Sequence, residues 1–191
     1  MATDNRIRII GGRHRGRKLR FADLPGLRPT GDRMRETLFN WLQPLIAGAR
    51  CLDLFAGSGA LGLEAASRGA GEVVLVDRAR QVVRQLHENV ELLGLESTEV
   101  VQADGIEWLS ASARPFDIVF LDPPFADRLL PLSLRLLTEK GWLAPGARVY
   151  LENDAGQRLP GLPEQLVLEK SKRMGQVAFG LARWTPDGAV S

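Results

Sequence analysis

The sequence predicts an α/β protein with a seven-stranded mixed sheet, preceded by a basic β-hairpin, and three observations support this prediction. From residue 50 onwards, short apolar runs alternate with amphipathic stretches, which is typical of βα units that build a parallel sheet. A glycine-rich loop follows the first of these runs. Residues 170–176, between the last two runs, are too few for a parallel crossover and favour a closing antiparallel hairpin.

The elements follow in a simple order. Near the N-terminus, isoleucines alternate with arginines before Gly11-Gly12, and a second short run covers Lys18–Phe21, so we expect a hairpin with a basic tip. This arm is assigned to residues 1–27 and the main domain to residues 28–191. Asp32 is expected to cap a helix that runs to about Ala47. Sheet strands are expected at residues 51–55, 73–76, 100–103, 116–121, 149–151, 166–169 and 177–182, and helices near 60–69, 79–93, 105–111 and 128–139.

Length and composition exclude several protein classes. A chain of 191 residues with 45% hydrophobic residues can bury one substantial core. The single cysteine, Cys51, excludes an internal disulfide. The sequence contains neither a signal-peptide pattern nor the ~20 apolar residues of a membrane span, so we expect a cytoplasmic protein without membrane contact. No amphipathic segment is left over once the sheet is covered, which favours a monomer.

Positive charge is concentrated at the N-terminus. Residues 1–35 contain ten Lys or Arg against three Asp, a net charge of +7, whereas the whole chain carries +2. A basic arm before an acidic body is the pattern expected when the arm meets RNA phosphates. Arg33 and Arg35 fit either RNA or the carboxylate of a cofactor, and the sequence does not decide between them. The predicted RNA contacts are Arg6, Arg8, Arg13, His14, Arg15, Arg17, Lys18, Arg28, Arg33, Arg35, Lys172 and Arg173.

The loop after the first sheet strand predicts a nucleoside-binding site. Gly57, Gly59 and Gly62 satisfy the G-x-G-x-x-G spacing, and Asp77 ends the next strand, where a carboxylate can accept hydrogen bonds from ribose hydroxyls. The spacing alone does not distinguish a dinucleotide from S-adenosylmethionine. Asp53, four residues before Gly57, favours S-adenosylmethionine because a carboxylate there suits a cationic amine and would repel a pyrophosphate.

Asp104 follows the third sheet strand and could accept a hydrogen bond from an adenine amino group. The alternative is that it only caps the next helix. Asp53 likewise has an alternative role as a brace for the loop. The predicted cofactor-binding residues are Asp53, Phe55, Ala56, Gly57, Ser58, Gly59, Gly62, Asp77, Arg78, Asp104 and Gly105.

The tetrapeptide Asp122-Pro123-Pro124-Phe125 follows an apolar strand and is the predicted catalytic segment. The Asp122 carboxylate and the Pro123 carbonyl can accept the two hydrogens of a planar amine, while Phe125 can stack on the base. An aromatic amine is a weak nucleophile, and two acceptors on its hydrogens aim its lone pair at a methyl group. This chemistry predicts no metal ion, because a sulfonium is already a strong electrophile.

These segments together resemble the class I methyltransferases, which have a Rossmann-like sheet, and among them the RsmD family of 16S rRNA guanine-N2 methyltransferases. The resemblance covers nearly the whole chain. It implies S-adenosylmethionine as methyl donor, S-adenosylhomocysteine as product, and guanine 966 of 16S rRNA as target, presented in a small-subunit ribosomal particle. The motifs that carry it are Arg28-Pro29-Thr30, Asp32-Arg33-Met34-Arg35-Glu36, residues 52–70, Asp122–Phe125 and Lys172–Gln176.

Three other functions remain open from the residues themselves. An adenine-N6 methyltransferase acting on DNA or RNA would share the glycine loop and the amine clamp. A NAD-dependent oxidoreductase would share the glycine fingerprint, but it would leave the Asp122–Phe125 segment and the basic arm without a role. A non-catalytic RNA-binding assembly factor would keep the fold and bind without turnover.

Overall fold

The computed structural model describes residues 5–27, 29–124, 129–154 and 161–186. The strands are β1 (Arg6–Arg8), β2 (Lys18–Arg20), β3 (Arg50–Asp53), β4 (Glu72–Asp77), β5 (Thr98–Gln102), β6 (Phe116–Leu121), β7 (Leu143–Asp154), β8 (Leu166–Met174) and β9 (Val177–Trp184). The helices are α1 (Asp32–Leu42), α2 (Ala60–Ser67), α3 (Arg80–Leu93), α4 (Gly105–Leu109) and α5 (Leu129–Glu139). None of these helices has the length and apolar character that crossing a membrane requires.

Seven of the strands form one mixed sheet in the order β5-β4-β3-β6-β7-β9-β8. β3, β4 and β5 pair in parallel, and β6 and β7 also pair in parallel. β9 runs antiparallel to both β7 and β8. The predicted α/β fold, with a mixed sheet that ends in an antiparallel hairpin, is therefore confirmed.

The chain divides into two compact units, Met1–Ala103 and Asp104–Ser191. In the first unit, the four residues from Val73 to Val76 are at most 1% exposed, as expected for a strand with both faces covered. α3 is amphipathic and buries Val82, Val83, Leu86 and Leu93, so its apolar stripe faces the core.

The second unit has an aromatic core. The indole ring of Trp142 stacks on that of Trp108 with 4.5 Å between centroids, and its Nε1 donates a hydrogen bond of 3.0 Å to the Leu109 carbonyl. Tyr150 packs between Phe120 and Phe179, with ring centroids 6.4 and 6.1 Å away. These rings pack β6, β7 and β9 against one another.

The N-terminal hairpin is confirmed as an antiparallel pair, with Ile7 opposite Leu19. Both side chains are buried, at 4% and 0% exposure, so one face of the ribbon belongs to the core of the first unit. Its tip packs on the end of α2, where Gly12 comes so close that an added Cβ would lie 1.9 Å from the Ser67 carbonyl oxygen. The tip of the hairpin is thus fixed to the C-terminal end of α2.

Helix α1 differs from its prediction at both ends. Gly31, with extended backbone, occupies the cap position, and Asp32 is the first helical residue, where its carboxylate pairs with Arg8 and Arg35. The helix ends at Leu42 and not near Ala47, because Pro44 has no N–H to continue the hydrogen-bond ladder.

Strands β7 and β8 are longer than predicted. β7 starts at Leu143, before its predicted start at Val149, and continues across an irregularity in its pairing with β6. β8 extends to Met174 because its backbone pairs with β9 as far as Val177. Nearly all of its side chains are exposed, so no apolar alternation marks its length in the sequence.

Candidate active site

The glycine loop is a tight connection between β3 and α2, held by its own backbone. Gly57 and Gly59 have φ angles of +51° and +75°, a left-handed conformation that favours glycine. The N–H of Gly59 donates to the Ala56 carbonyl at 2.7 Å, which closes the turn. An added Cβ on Gly57 would meet only the Leu27 side chain, at 3.6 Å, and the Phe55 carbonyl oxygen, at 3.8 Å, so the backbone there is accessible for close approach by a ligand.

Gly62 serves packing and not the turn. Its φ is not positive, but an added Cβ would lie 2.1 Å from Cδ2 of Leu75 on β4 and 3.2 Å from Cβ of Asp53 on β3. Helix α2 can approach the sheet this closely only with glycine at this position. The three glycines of the fingerprint therefore have separate roles, two in the backbone turn and one in the contact between helix and sheet.

Asp53 is buried at 2% exposure, and its Oδ2 accepts a hydrogen bond of 2.9 Å from the Gly62 N–H. The carboxylate therefore braces the start of α2, as the alternative interpretation of this residue has it. A carboxylate oxygen has two lone pairs, so this bond is compatible with a further contact to a cationic amine. Phe55 lies partly exposed beside the buried Ala56 and Ser58 in the same loop.

Asp77 ties the end of β4 to the glycine loop. Its Oδ2 accepts from the Gly57 N–H at 3.0 Å, and its Oδ1 accepts from the Ala79 N–H at 2.8 Å. The side chain is partly exposed, so its remaining lone pairs can reach ribose hydroxyls. The accessible backbone of Gly57, the buried carboxylate of Asp53 and the half-buried carboxylate of Asp77 together form a set of polar groups that fits S-adenosylmethionine. The neighbouring Arg78 is exposed.

In the second unit, Asp104 is the N-cap of α4. Its Oδ1 accepts from the N–H groups of Ile106 and Glu107 at 2.9 and 3.2 Å, which is the capping role considered from the sequence. The side chain is half-buried and Gly105 is buried. The contact between Asp104 and an adenine amino group stays a prediction.

The predicted catalytic segment directly follows β6. Asp122 is half-buried, Pro123 is buried and Pro124 is exposed, so the turn presents both polar and apolar surface. Two prolines in succession fix φ at both positions and hold this turn rigid. Phe125 lies outside the residues that the structure describes, and its stacking on a base stays a prediction.

A polar pair near this turn was missed by the sequence analysis. The Tyr150 hydroxyl donates a hydrogen bond of 2.6 Å to Oε1 of Glu152, and the two side chains are 0% and 4% exposed. Burial, and then the charges of Glu152 and Asp122, raise the pKa of Tyr150 well above its usual value. A charged residue inside an otherwise apolar strand was the signal that could have identified this pair.

The outward face of the hairpin carries four cations. Arg6 lies opposite Arg20 and Arg8 lies opposite Lys18, and all four side chains are exposed. Like charges at opposite positions destabilise a strand pair, so this arrangement favours an anionic partner. A groove of about 350 Å³ lies beside this face, lined by Arg6, Lys18, Arg20, Gln85, Glu88, Asn89 and Leu92.

Arg35 is not part of that cationic surface. The side chain is 1% exposed, and its guanidinium donates to the carbonyls of Arg8 and Thr30 and to the carboxylates of Asp32 and Glu64. A guanidinium buried in this way holds the hairpin to α1 and α2. This corrects the expectation that it contacts RNA or a cofactor.

The other predicted RNA contacts are distributed unevenly. Arg13, Arg15 and Arg17 at the hairpin tip are exposed, as are Arg33 on α1 and Lys172 and Arg173 on β8. Arg28 lies outside the described residues. His14 is half-buried, and burial together with the charges of Arg13 and Arg17 lowers its pKa below the usual 6.5, so it is mostly neutral at pH 7. It therefore adds little charge to the surface.

Comparison with known proteins agrees with these motifs. The family model described as Conserved hypothetical protein 95 matches residues 7–183. Ribosomal RNA small subunit methyltransferase D of Escherichia coli strain K12 is 50% identical over 175 residues, which cover 92% of this chain and 88% of the relative. The Haemophilus influenzae protein of the same name is 44% identical over 179 residues, covering 92% of each chain.

Solved structures give the same result. The structure of the E. coli protein yhhF has a TM-score of 0.90 at 45% sequence identity, covering 95% of this chain and 99% of that one. The protein SMU.776, solved in complex with SAH, has a TM-score of 0.66 at 16% sequence identity. The match covers 78% of this chain and 49% of that one, and at this identity it supports the fold alone. With the match over residues 7–183 and identities of up to 50%, the chain belongs to the RsmD family.

Proposed function

We propose that the protein transfers a methyl group from S-adenosylmethionine to the exocyclic N2 amine of one guanine in 16S rRNA, guanine 966, as the family resemblance implies. The observation that carries this proposal is that a glycine loop tied to Asp77 and a rigid Asp122-Pro123-Pro124 turn occur in a chain 50% identical to Ribosomal RNA small subunit methyltransferase D of E. coli. S-adenosylmethionine supplies an electrophilic methyl group when it is bound.

In this proposal the methyl donor is held by the glycine loop and by Asp53, Asp77 and Asp104. The backbone of Gly57 and Gly59 approaches the donor closely, and Asp77 accepts hydrogen bonds from its ribose hydroxyls. Asp53 fixes the start of α2 and faces the donor's cationic amine. Asp104, as N-cap of α4, accepts from the adenine amino group through lone pairs that the cap leaves over.

The turn after β6 orients the acceptor amine. Asp122 and the Pro123 carbonyl each accept one amine hydrogen, which directs the nitrogen lone pair toward the methyl carbon. The new bond forms between nitrogen and carbon as the bond between carbon and sulfur breaks. The methylated amine then gives one proton to the Asp122 carboxylate or to water, so that residue need not be a strong base.

The cationic face of β1 and β2, together with Arg13, Arg15 and Arg17, binds the rRNA backbone in this proposal. Phosphate contacts of this kind position the enzyme and carry no sequence information. We further propose that the protein acts as a monomer in the cytoplasm, on rRNA within a small-subunit particle. The boundary between an arm at residues 1–27 and the remaining domain stays a prediction.

The test compares small-subunit rRNA from cells with and without this protein. Purified protein and S-adenosylmethionine are added to rRNA and particles that lack the modification, and the product nucleosides are identified. We expect N2-methylguanosine at one position, with no transfer to duplex DNA. N6-methyladenine as the product, or binding without any transfer, would contradict the proposal.

Asp122→Ala should lower the transfer rate more than tenfold and leave donor affinity nearly unchanged, because the carboxylate acts on the amine.

A further inference from the structure

The buried pair formed by Tyr150 and Glu152 lies beside the predicted catalytic turn. In the parallel pairing of β6 and β7, Phe120 is opposite Tyr150 and Leu121 is opposite Leu151. Asp122 and Glu152 are the next residues along the chain from these two positions. Positions opposite each other in parallel strands point to the same face, and the rings of Phe120 and Tyr150 do so with 6.4 Å between their centroids.

The electrostatics agree with this placement. The charge of Asp122 acts on the Tyr150 hydroxyl, which already donates to Oε1 of Glu152 at 2.6 Å. Two carboxylates therefore occupy corresponding positions of adjacent strands on one face of the sheet, one of them half-buried and the other 4% exposed. Each carboxylate can accept several hydrogen bonds, so the arrangement is suited to a ligand that brings several N–H donors in a row.

The bases differ in this respect. Guanine has N1–H directly beside its N2 amine, so its edge presents only donors at these two positions. Adenine has an unprotonated N1 beside its N6 amine, which would place a lone pair against a carboxylate. An ionised carboxylate can only accept hydrogen bonds. A pair of carboxylates is therefore complementary to guanine and not to adenine.

We propose that Glu152 is a specificity-determining residue whose carboxylate accepts the N1–H of the guanine while Asp122 accepts from its N2 amine. Tyr150 is a positioning residue that holds the Glu152 carboxylate through Oε1. This inference rests on the proposed function, and it explains the choice of guanine that the Asp-Pro-Pro-Phe segment alone leaves open.

The experiment uses full-length protein and 16S rRNA assembled by ligation, with guanine or 2-aminopurine at the methylated position, reconstituted into small-subunit particles. The base 2-aminopurine keeps the amine at the same place but has an unprotonated N1. The ratio of kcat/KM for guanine over 2-aminopurine is measured for the wild type, Glu152→Gln and Tyr150→Phe. Glu169→Gln is the matched control, because the Glu169 carboxylate on β8 pairs with Arg148 at 2.7 Å.

We expect the wild type to prefer guanine by at least about 100-fold, since a site built for a hydrogen bond rejects an analogue that lacks it. Glu152→Gln should reduce this preference by roughly 10- to 100-fold, because the amide can donate to the unprotonated N1 and can no longer offer guanine a charged acceptor. Tyr150→Phe should reduce it less, and Glu169→Gln should leave it unchanged.

Several results would overturn the inference. Equal reductions on both substrates in Glu152→Gln would assign the pair a structural role only. A wild-type preference for guanine over 2-aminopurine below about threefold would exclude recognition of N1–H. This measurement does not depend on the folding of any variant. These outcomes differ from failure of the proposed function, in which the wild type methylates no guanine at all and both proposals fall together.

Discussion

Oε2 of Glu64 lies 3.4 Å from Nη1 of Arg35, and both side chains are buried, at 0% and 1% exposure. The same carboxylate accepts from the backbone N–H groups of Ile10 and Gly11, both at 2.8 Å, and from Nε of Arg68 at 2.7 Å. Helix α1, helix α2 and the N-terminal hairpin therefore meet at one buried carboxyl group. Removing one partner of such a cluster leaves the others buried and unpaired.

Glu64→Ala is expected to lower the free energy of unfolding by about 3–5 kcal/mol, because four donors lose their acceptor. Urea unfolding measures this change, and faster trypsin cleavage at Arg13 and Arg15 would report release of the hairpin. Glu88→Gln is the control, since it removes an exposed pair with Arg84 worth at most about 0.5 kcal/mol. Similar destabilisation in the two variants would contradict the role assigned to Glu64.

The cationic face of the hairpin predicts how RNA binding depends on salt. Replacing Arg6, Lys18 and Arg20 by Gln should reduce the slope of log K against log salt by about 0.7 for each single-stranded phosphate that is no longer neutralised. Arg135→Gln, at an exposed position of α5, should leave the slope unchanged. Titration of labelled rRNA at several salt concentrations makes the measurement, and an unaltered slope in the triple variant would exclude this surface.

Replacing Gly62 is expected to cause a packing defect, because the space around its Cα, and not its backbone conformation, requires glycine. Gly62→Ala should destabilise the protein by about 1–3 kcal/mol, although alanine favours helix, because its Cβ would lie 2.1 Å from Cδ2 of Leu75. Weaker binding of S-adenosylhomocysteine should accompany this destabilisation, since α2 must move away from Asp53. Gly161→Ala is the control, because Gly161 is exposed and no atom of the described residues lies within 4 Å of its Cβ position. Thermal unfolding and calorimetry separate the two effects, and equal behaviour of both variants would contradict the prediction.

The raised pKa of Tyr150 predicts a decrease of stability in alkali. Above pH 10 the unfolded chain releases the phenol proton while the folded protein retains it, so stability falls by up to about 1.4 kcal/mol per pH unit. Tyr150→Phe should flatten this fall. Tyr150 is the only tyrosine in the chain, so the ultraviolet absorbance of phenolate follows this group alone. Phenolate that forms near pH 10 in the folded protein would disprove the shift.

Much of the fold follows from local sequence pattern. The apolar run from Phe116 to Leu121 is reproduced residue for residue as β6, and the glycine spacing correctly places the turn before α2. Both signals arise within a few residues of chain. The bounds of β7 and β8 were less predictable, because their length depends on pairing with β9 and not on their own side chains.

The candidate site likewise contains residues that local sequence pattern identifies and residues whose role depends on distant contacts. Asp77 ends β4 and Asp122 directly follows β6, as the sequence predicted, whereas Asp53 ends β3 and was predicted inside the first sheet strand. The roles of these three residues stay predictions. Arg35 was assigned to RNA because the sequence shows only a basic residue in a basic segment. Its partner Glu64 is 29 residues away, and no periodicity relates the two. Only packing of the first unit turns this arginine from a surface cation into a buried brace.

The exposed strand β8 ends the sheet and has nine residues, most of which solvent reaches directly. Long edge strands invite pairing with other chains, which leads to aggregation. Lys170, Lys172 and Arg173 place three positive charges on this edge, so a second copy of the chain would bring like charges together. Lys172 and Arg173, which are also predicted RNA contacts, thus help to protect an open sheet from growing by addition of strands.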